Sequence, residues 1–275
     1  MTAPKHRVYA IRYGRHDRIA RANFINPPGD HDAAMPMEYF VWLVVCESGR
    51  KIVVDTGFNE KTAIRRGRTM LRCPTEGLAL LGAPAESVTD VVITHLHYDH
   101  AGNAAAFPSA RFWLQEKEMQ FATGKYMCRD FFRLAYERDD ITHMVGALFD
   151  NRLELVNGDA ELEPGVSLHW VGGHTAGLQV VRVSTENGCV VLASDLFHYY
   201  ANFSEASPFP IVFHPAEMLD GFRRAEALAG RLGWTVPGHD PEVMNRFQPE
   251  PSDPEHTVRL WEPLSDQSLH ARPAP

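Results

Sequence analysis

The sequence contains no run of about eighteen apolar residues, so nothing in it reads as a membrane-spanning helix and no membrane partner is expected. It has no G-x-S-x-G segment, which removes the nucleophile elbow as a route to serine catalysis. Its four cysteines, Cys46, Cys73, Cys128 and Cys189, are scattered without a C-x-x-C pair, so neither a disulfide framework nor a redox motif is indicated. Cys46 and Cys189 fall in apolar, strand-like runs and are expected to be reduced, buried small hydrophobes. Positive charge is short as well, with a formal net charge of -8. The one compact basic run, Arg65, Arg66, Arg68 and Arg72, has no interleaved aromatic residues and reads as a solvated face, so no nucleic-acid partner is expected. The opening MTAPKHRVYAIRYG lacks the apolar stretch and cleavage site of a secretory leader, which leads us to expect a cytoplasmic protein.

What is present is an ordinary globular composition, 44% hydrophobic and 23% charged over 275 residues, enough for one large α/β domain. YFVWLVV, the turn ESGR and KIVVDTG read as a β-hairpin rich in β-branched and aromatic residues. TEGLALLGAP suggests a short helix capped by Thr75 and ending near Gly82, before a buried strand DVVITH over residues 90–95. ARFWLQ is a strand. Residues 119–149 carry Met119, Phe121, Met127, Phe131, Phe132 and Met144 without a single clean period, and we expect a helical cap insertion beside the site.

RLELV, VSLHWV, LQVVRVS and CVVLASD continue the strands. Residues 215–232 form the clearest helix, with Pro215 in its first turn, Met218, Leu219, Phe222, Ala225 and Leu232 at helical spacing, and Gly233 at its end. WTVP is a last short strand. The order suggests two packed sheets with helices outside, in a single domain over residues 1–262, and a poorly ordered polar tail over 263–275.

Fourteen histidines stand out, because imidazole is the commonest metal ligand. THLHYDHAGN places His95, His97, Asp99 and His100 in one compact loop directly after an apolar strand. Imidazoles and a carboxylate suit Zn²⁺ and tolerate Fe, Mn or Co. Four ligands are too many for one open catalytic ion. His95 and His97 could serve one ion while Asp99 and His100, after the turn, serve a neighbour. His174 in VGGHTAG, Asp195 at the end of CVVLASD and His239 in PGHD also lie where strands pass into loops, the paired glycines letting the backbone pass close to a crowded centre.

THLHYDHAGN, GGHTAG, the Asp195 of ASD and PGHD resemble the motifs of the metallo-β-lactamase superfamily, and within it the N-acyl homoserine lactonase-like branch. The resemblance runs from about residue 38 to 245 and implies an α/β fold, the αββα four-layer sandwich. It implies one divalent ion held by His95, His97 and His174, a second held by Asp99, His100 and His239, and Asp195 bridging both, with Zn²⁺ the first candidate. Asp55 in VVDTG matches the family's early Asp and would orient a ligand by a hydrogen bond. Some relatives that cleave β-lactams place a Cys where Asp195 stands, and Cys189 lies too early to substitute, so a β-lactamase is disfavoured.

The activity implied is opening of a lactone or related cyclic ester by attack of a hydroxide shared between two ions, with Asp99 passing a proton to the leaving alkoxide. A small-molecule ester or lactone is therefore the expected partner. In the lactonases a tyrosine three residues after the bridging Asp binds the substrate carbonyl. This chain has His198 there, followed by Tyr199 and Tyr200, which makes these three the candidates for that task. A thioester hydrolase of the glyoxalase II type, or a metal-dependent small-ligand-binding protein without turnover, are the alternatives.

Overall fold

The computed structural model describes residues 4–230 and 233–264. In chain order the first strands are β1 (Arg7–His16), β2 (Met37–Val45), β3 (Lys51–Val54), β4 (Thr69–Met70), β5 (Asp90–Val92), β6 (Arg111–Gln115) and β7 (Leu153–Val156). A second sheet follows with β8 (Ala160–Glu163), β9 (Val166–Trp170), β10 (Gln179–Thr185), β11 (Gly188–Ser194) and β12 (Trp234–Pro237). β13 (Phe247–Pro249) and β14 (Thr257–Pro263) then return to the first sheet, whose order is β13-β14-β1-β2-β3-β5-β6-β7, with β4 pairing β1. The second sheet runs β12-β11-β10-β9-β8.

The hairpin β2–β3 is antiparallel, with Trp42 opposite Val54 and Val45 opposite Lys51. β2 is apolar at almost every position because both its faces are covered. Tyr39, Val41 and Leu43 enter one core with Leu78 and Met119 from the outer helices; Phe40, Trp42 and Val44 enter another between the sheets, against Leu168, Val181 and Val190. Each such fully buried side chain contributes roughly 1.5–3 kcal/mol. On the far side, Val180, Val191 and Ala193 of the second sheet meet Met218, Phe222 and Ala225 of the helix Pro215–Ala229. The layers are therefore helix, sheet, sheet, helix, the αββα sandwich. No helix among the described residues is long and apolar enough to cross a membrane.

Several expectations are corrected locally. The helix Pro74–Leu80 starts on a proline with Cys73 before it, so Thr75 lies inside its first turn and does not cap it. The buried strand stops at Val92; Ile93 still donates its amide to the Trp113 carbonyl of β6 at 3.0 Å, and Thr94 and His95 lie beyond the strand. The long helix stops at Ala229, where Gly230 takes a left-handed φ of 69°, earlier than the expected end at Gly233; Leu232 lies outside the described residues. Cys189 is half-buried and accepts from Arg182 Nη2 at 2.7 Å, unlike the fully buried Cys46. Pro263 is the last residue of β14, not part of a tail; the rest of the expected tail, from residue 265, lies outside the described residues.

The basic run is not one solvated face. Arg72 is mostly buried against Asp253, Arg66 and Arg68 are half-buried, and Arg65 is the most exposed of the four. Residues 119–149 fall in the helices Glu116–Ala122 and Arg138–Phe149, with two short turns between them. Met144 is fully inside the core, whereas Phe131 is exposed and Phe132 half-buried.

Candidate metal centre

Asp55 follows β3 directly, and its left-handed φ of 61° turns its carboxylate beneath the neighbouring loop. There it accepts from the Thr94 amide at 2.7 Å, the Thr94 hydroxyl at 2.8 Å and His100 Nδ1 at 2.7 Å. Past His95, His97 leads into a single helical turn, Tyr98–Ala101, which brings Asp99 and His100 round in succession. Tyr13 fixes that turn by donating its hydroxyl to the Asp99 carbonyl at 2.8 Å.

The second sheet supplies the rest from its strand ends. His174 follows β9 and donates from Nδ1 to the Ile211 carbonyl at 2.6 Å. Asp195 follows β11. His239 follows β12 and donates from Nδ1 to the Glu38 carbonyl at 2.9 Å. Gly238 is required here, since a Cβ on it would stand 2.7 Å from Asp195 Oδ1. The pair Gly172 and Gly173 has a different task from the one expected: a Cβ on Gly173 would meet Met218 Cα at 2.5 Å, so these glycines admit the helix Pro215–Ala229.

The seven candidate ligands thus come together, all buried. His95 Nε2, His97 Nδ1 and His174 Nε2 lie 2.9–3.2 Å from one another, near the roughly 3.3 Å that separates nitrogens about 2.05 Å from a tetrahedral zinc. Asp195 Oδ2 stands 3.3 Å from His174 Nε2, while Oδ1 stands 3.2 Å from His100 Nε2 and 3.0 Å from His239 Nε2. Asp99 Oδ2 is 3.8 Å from His100 Nε2 and 3.7 Å from His239 Nε2.

Metal ions fit this donor set. His100 Nε2, His239 Nε2 and Asp195 Oδ1 are buried without a hydrogen-bond partner, a costly state unless a cation sits among them. In His100, His174 and His239 the other ring nitrogen is bound to a carboxylate or carbonyl, which leaves Nε2 as a lone pair aimed at the cluster. Burial, with the imidazoles around it, pushes His95 well below its ordinary pKa and keeps it neutral. Burial alone would lower His100 too, but Asp195, Asp55 and Asp99 together raise it well above the usual value. That pocket of carboxylates demands positive charge, and dications would supply it.

His198 joins the cluster; Tyr199 and Tyr200 do not. Burial lowers His198 to about 3, so the ring is neutral at neutral pH and has one proton to give. Its Nε2 faces Asp195 Oδ2 at 3.0 Å, and the proton placed there leaves Nδ1 buried as an unpartnered acceptor. The ring stacks on Phe209 with centroids 3.5 Å apart. Tyr199 is taken up elsewhere, its hydroxyl accepting from Asn23 and donating to the Met35 carbonyl, and Tyr200 packs beneath Arg246.

Glu118 escaped the sequence reading, because a lone Glu in EKEMQF looks like a surface helix residue. It has no exposed surface, and it accepts from the Leu96 amide, the Gly177 amide and the Tyr136 hydroxyl at 2.9–3.0 Å. It therefore ties the loop of His95 and His97 to the loop of His174. A cavity of about 160 Å³ opens over the ligands, walled by Arg18, Arg66, Arg68, Tyr98, Leu134 and Ile211. A second of about 60 Å³ adjoins it beside His97 and His174, with Phe121, Phe131, Phe132 and Phe213 in its wall. A larger one of about 330 Å³, around Lys5, Arg7 and Trp261, shares no residue with the ligand cluster.

The family model described as Metallo-beta-lactamase superfamily matches residues 36–244 of the chain. An N-acyl homoserine lactonase from Bacillus cereus is 28% identical over 185 residues, covering 62% of this chain and 68% of that one. A probable metallo-hydrolase of Mycobacterium bovis is 27% identical over 227 residues, covering 74% and 72% respectively. Among solved structures, a quorum-quenching N-acyl homoserine lactone lactonase superposes with a TM-score of 0.71 at 25% identity, over 88% of this chain and 94% of its own.

Proposed function

The chain belongs to the metallo-β-lactamase superfamily, and from that membership and the geometry of its ligand cluster we propose a two-metal hydrolase that opens a lactone or related cyclic ester. The observation that carries this reading is Asp195. Its two oxygens face two separate groups, His95, His97 and His174 on one side and Asp99, His100 and His239 on the other, as a bridging carboxylate must. When bound, two divalent ions, Zn²⁺ first among them, supply an acidified water as nucleophile and polarise the ester carbonyl.

The chain's own residues do the rest. Asp99, at the floor of the cavity, is placed to take a proton and return it to the leaving alkoxide. Asp55 holds His100 in the tautomer whose Nε2 is free to ligate. His198 spends its proton on Asp195 and so positions the bridging carboxylate, which leaves no donor on it for the substrate carbonyl. Phe131, Phe132 and their neighbours in residues 119–149 form the cap, and the small apolar cavity beneath them takes the acyl or aryl group. The lactonases among the relatives support the lactone over other esters.

Elemental analysis with kinetics tests this. The protein should hold two divalent ions per chain, and Asp195→Ala should lose both. The metal-loaded enzyme should open γ-lactones faster than it cleaves matched thioesters; the reverse order would assign it to thioester hydrolysis. Full loading without turnover of lactones, esters or thioesters would sink the reading.

A further inference from the structure

One wall of the cavity over the ligands is cationic, and its charge is not balanced. Arg66 shares a single carboxylate with Arg65, both within 2.7 Å of Glu137 Oε1. Arg68 lies between Tyr98 and His16, donating from Nε to the Tyr98 hydroxyl at 3.0 Å and from Nη1 to the Arg66 carbonyl at 2.6 Å. Its Nη1 also stands 3.2 Å from His16 Nε2, and its Nη2 has no hydrogen-bond partner among the described residues. Arg18 reaches the Met37 sulfur and the Ala22 carbonyl, both uncharged. Among the described residues neither Arg68 nor Arg18 is within ion-pair distance of a carboxylate. Burial, Tyr39 and Tyr98 bear on Arg68 before any carboxylate does, and the carboxylate that reaches it, Asp99, is already committed to the ligand cluster.

Half-buried guanidinium groups ordinarily pair, because a cation removed from water needs a counter-charge. These two converge on His16 and on the cavity, and Tyr98 and Tyr39 carry the same wall down to the His239 ring, 4.9 Å from Tyr39. The cavity's wall is apolar where it meets, at Leu134 and Ile211, the space lined by Phe131 and Phe132. The site thus has a cationic wall and an aromatic one, with His97 and His174 of the ligand cluster lining both cavities.

We propose that the ester or lactone taken by this site carries a carboxylate, which docks against Arg68 and Arg18 while its reacting carbonyl lies over the ligand cluster. The proposal rests on the hydrolase reading above and names its substrate class. Arg, with its planar fork of donors, is suited to a carboxylate where it has donors to spare.

The test compares a γ-lactone bearing one carboxylate with its methylamide, using the enzyme loaded with two zinc ions. The carboxylate form should have a kcat/KM roughly tenfold to a hundredfold higher at low salt, the scale of one charge-assisted contact. Arg68→Gln should bring that ratio close to one, while Arg68→Lys should keep part of it. Because Arg68 also holds Tyr98, Arg18→Gln provides an independent reduction of the same ratio. An amide turned over as fast as the carboxylate by the wild type, or a ratio unmoved by both glutamine variants, would overturn the proposal. Binding of the two ring-opened hydroxy acids, measured calorimetrically, separates it from the hydrolase reading. If neither lactone is turned over but the dicarboxylate binds at least tenfold tighter than its monoamide, and Arg18→Gln removes the difference, the anion site stands and the lactonase reading falls. Equal binding of the two overturns the anion site.

Discussion

Replacing Glu118 by Gln changes one oxygen to an NH₂ group at a place where three donors converge. In the native protein Oε1 accepts from Leu96 and Tyr136, and Oε2 accepts from Gly177 at 3.0 Å. The glutamine oxygen can keep the first two. Its NH₂ must then face the Gly177 amide, donor against donor, so one buried hydrogen bond is lost and two donors are left unsatisfied. Losing the bond and stranding those donors should cost roughly 2–4 kcal/mol. The neighbourhood cannot relax, because a Cβ on Gly177 would already sit 2.1 Å from the Glu118 amide nitrogen. Urea unfolding at fixed zinc concentration should show that loss, and zinc release to a chelator should show the ion of His95, His97 and His174 leaving sooner than the other. Glu118→Ala, which abandons all three donors, should cost more. An unfolding midpoint and release profile equal to wild type for Glu118→Gln would refute the claim that this carboxylate joins the two ligand loops.

Asp55→Ala should weaken metal binding about tenfold to a hundredfold by freeing the His100 ring, which competitive zinc titration would detect; unchanged affinity would deny Asp55 that role. His198→Ala should lower the affinity for both ions, because Asp195, which faces both ligand groups, loses a partner; full zinc retention with lost turnover would return His198 to a carbonyl-binding role. Gly238→Ala should abolish stable loading of two ions, since its Cβ would press on Asp195 Oδ1; two-ion stoichiometry in that variant would contradict the packing. Folding stability should fall as pH is lowered from about 6.5 to about 4, because the unfolded chain takes a proton at His16 that burial and the Arg68 and Arg18 charges keep off the folded one. His16→Asn should flatten that slope in chemical denaturation, and an unchanged slope would show that His16 does not set it.

The ligand loop was legible because four chemically specific residues crowd into THLHYDHAGN, and the hairpin because YFVWLVV has no helical reading that would fit beside its turn. Residues whose role depends on a distant partner were not legible. Glu118 meets Leu96 and Gly177 only after the sheets pack, and nothing local separates it from Glu116, which is half-buried two residues earlier. Arg66 and Arg68 read as solvated because their partners Glu137 and Tyr98 lie far along the chain. β1 is not legible because RVYAIRYGRH mixes charges with apolar residues, and β14 because Arg259 and Glu262 interrupt the short apolar run of TVRLWEP. Tyr199 and Tyr200 follow a short turn that directs them away from the cluster.

The placement of β14 has a consequence for how the protein is made. This late strand lies between β13 and β1, so the first sheet remains open on one side until nearly all of the described chain has been synthesised. His239, just upstream, cannot take its place before β12 has docked beside β11. The full donor set therefore exists only once both sheets have closed, which makes metal affinity a property of the finished fold rather than of any one loop.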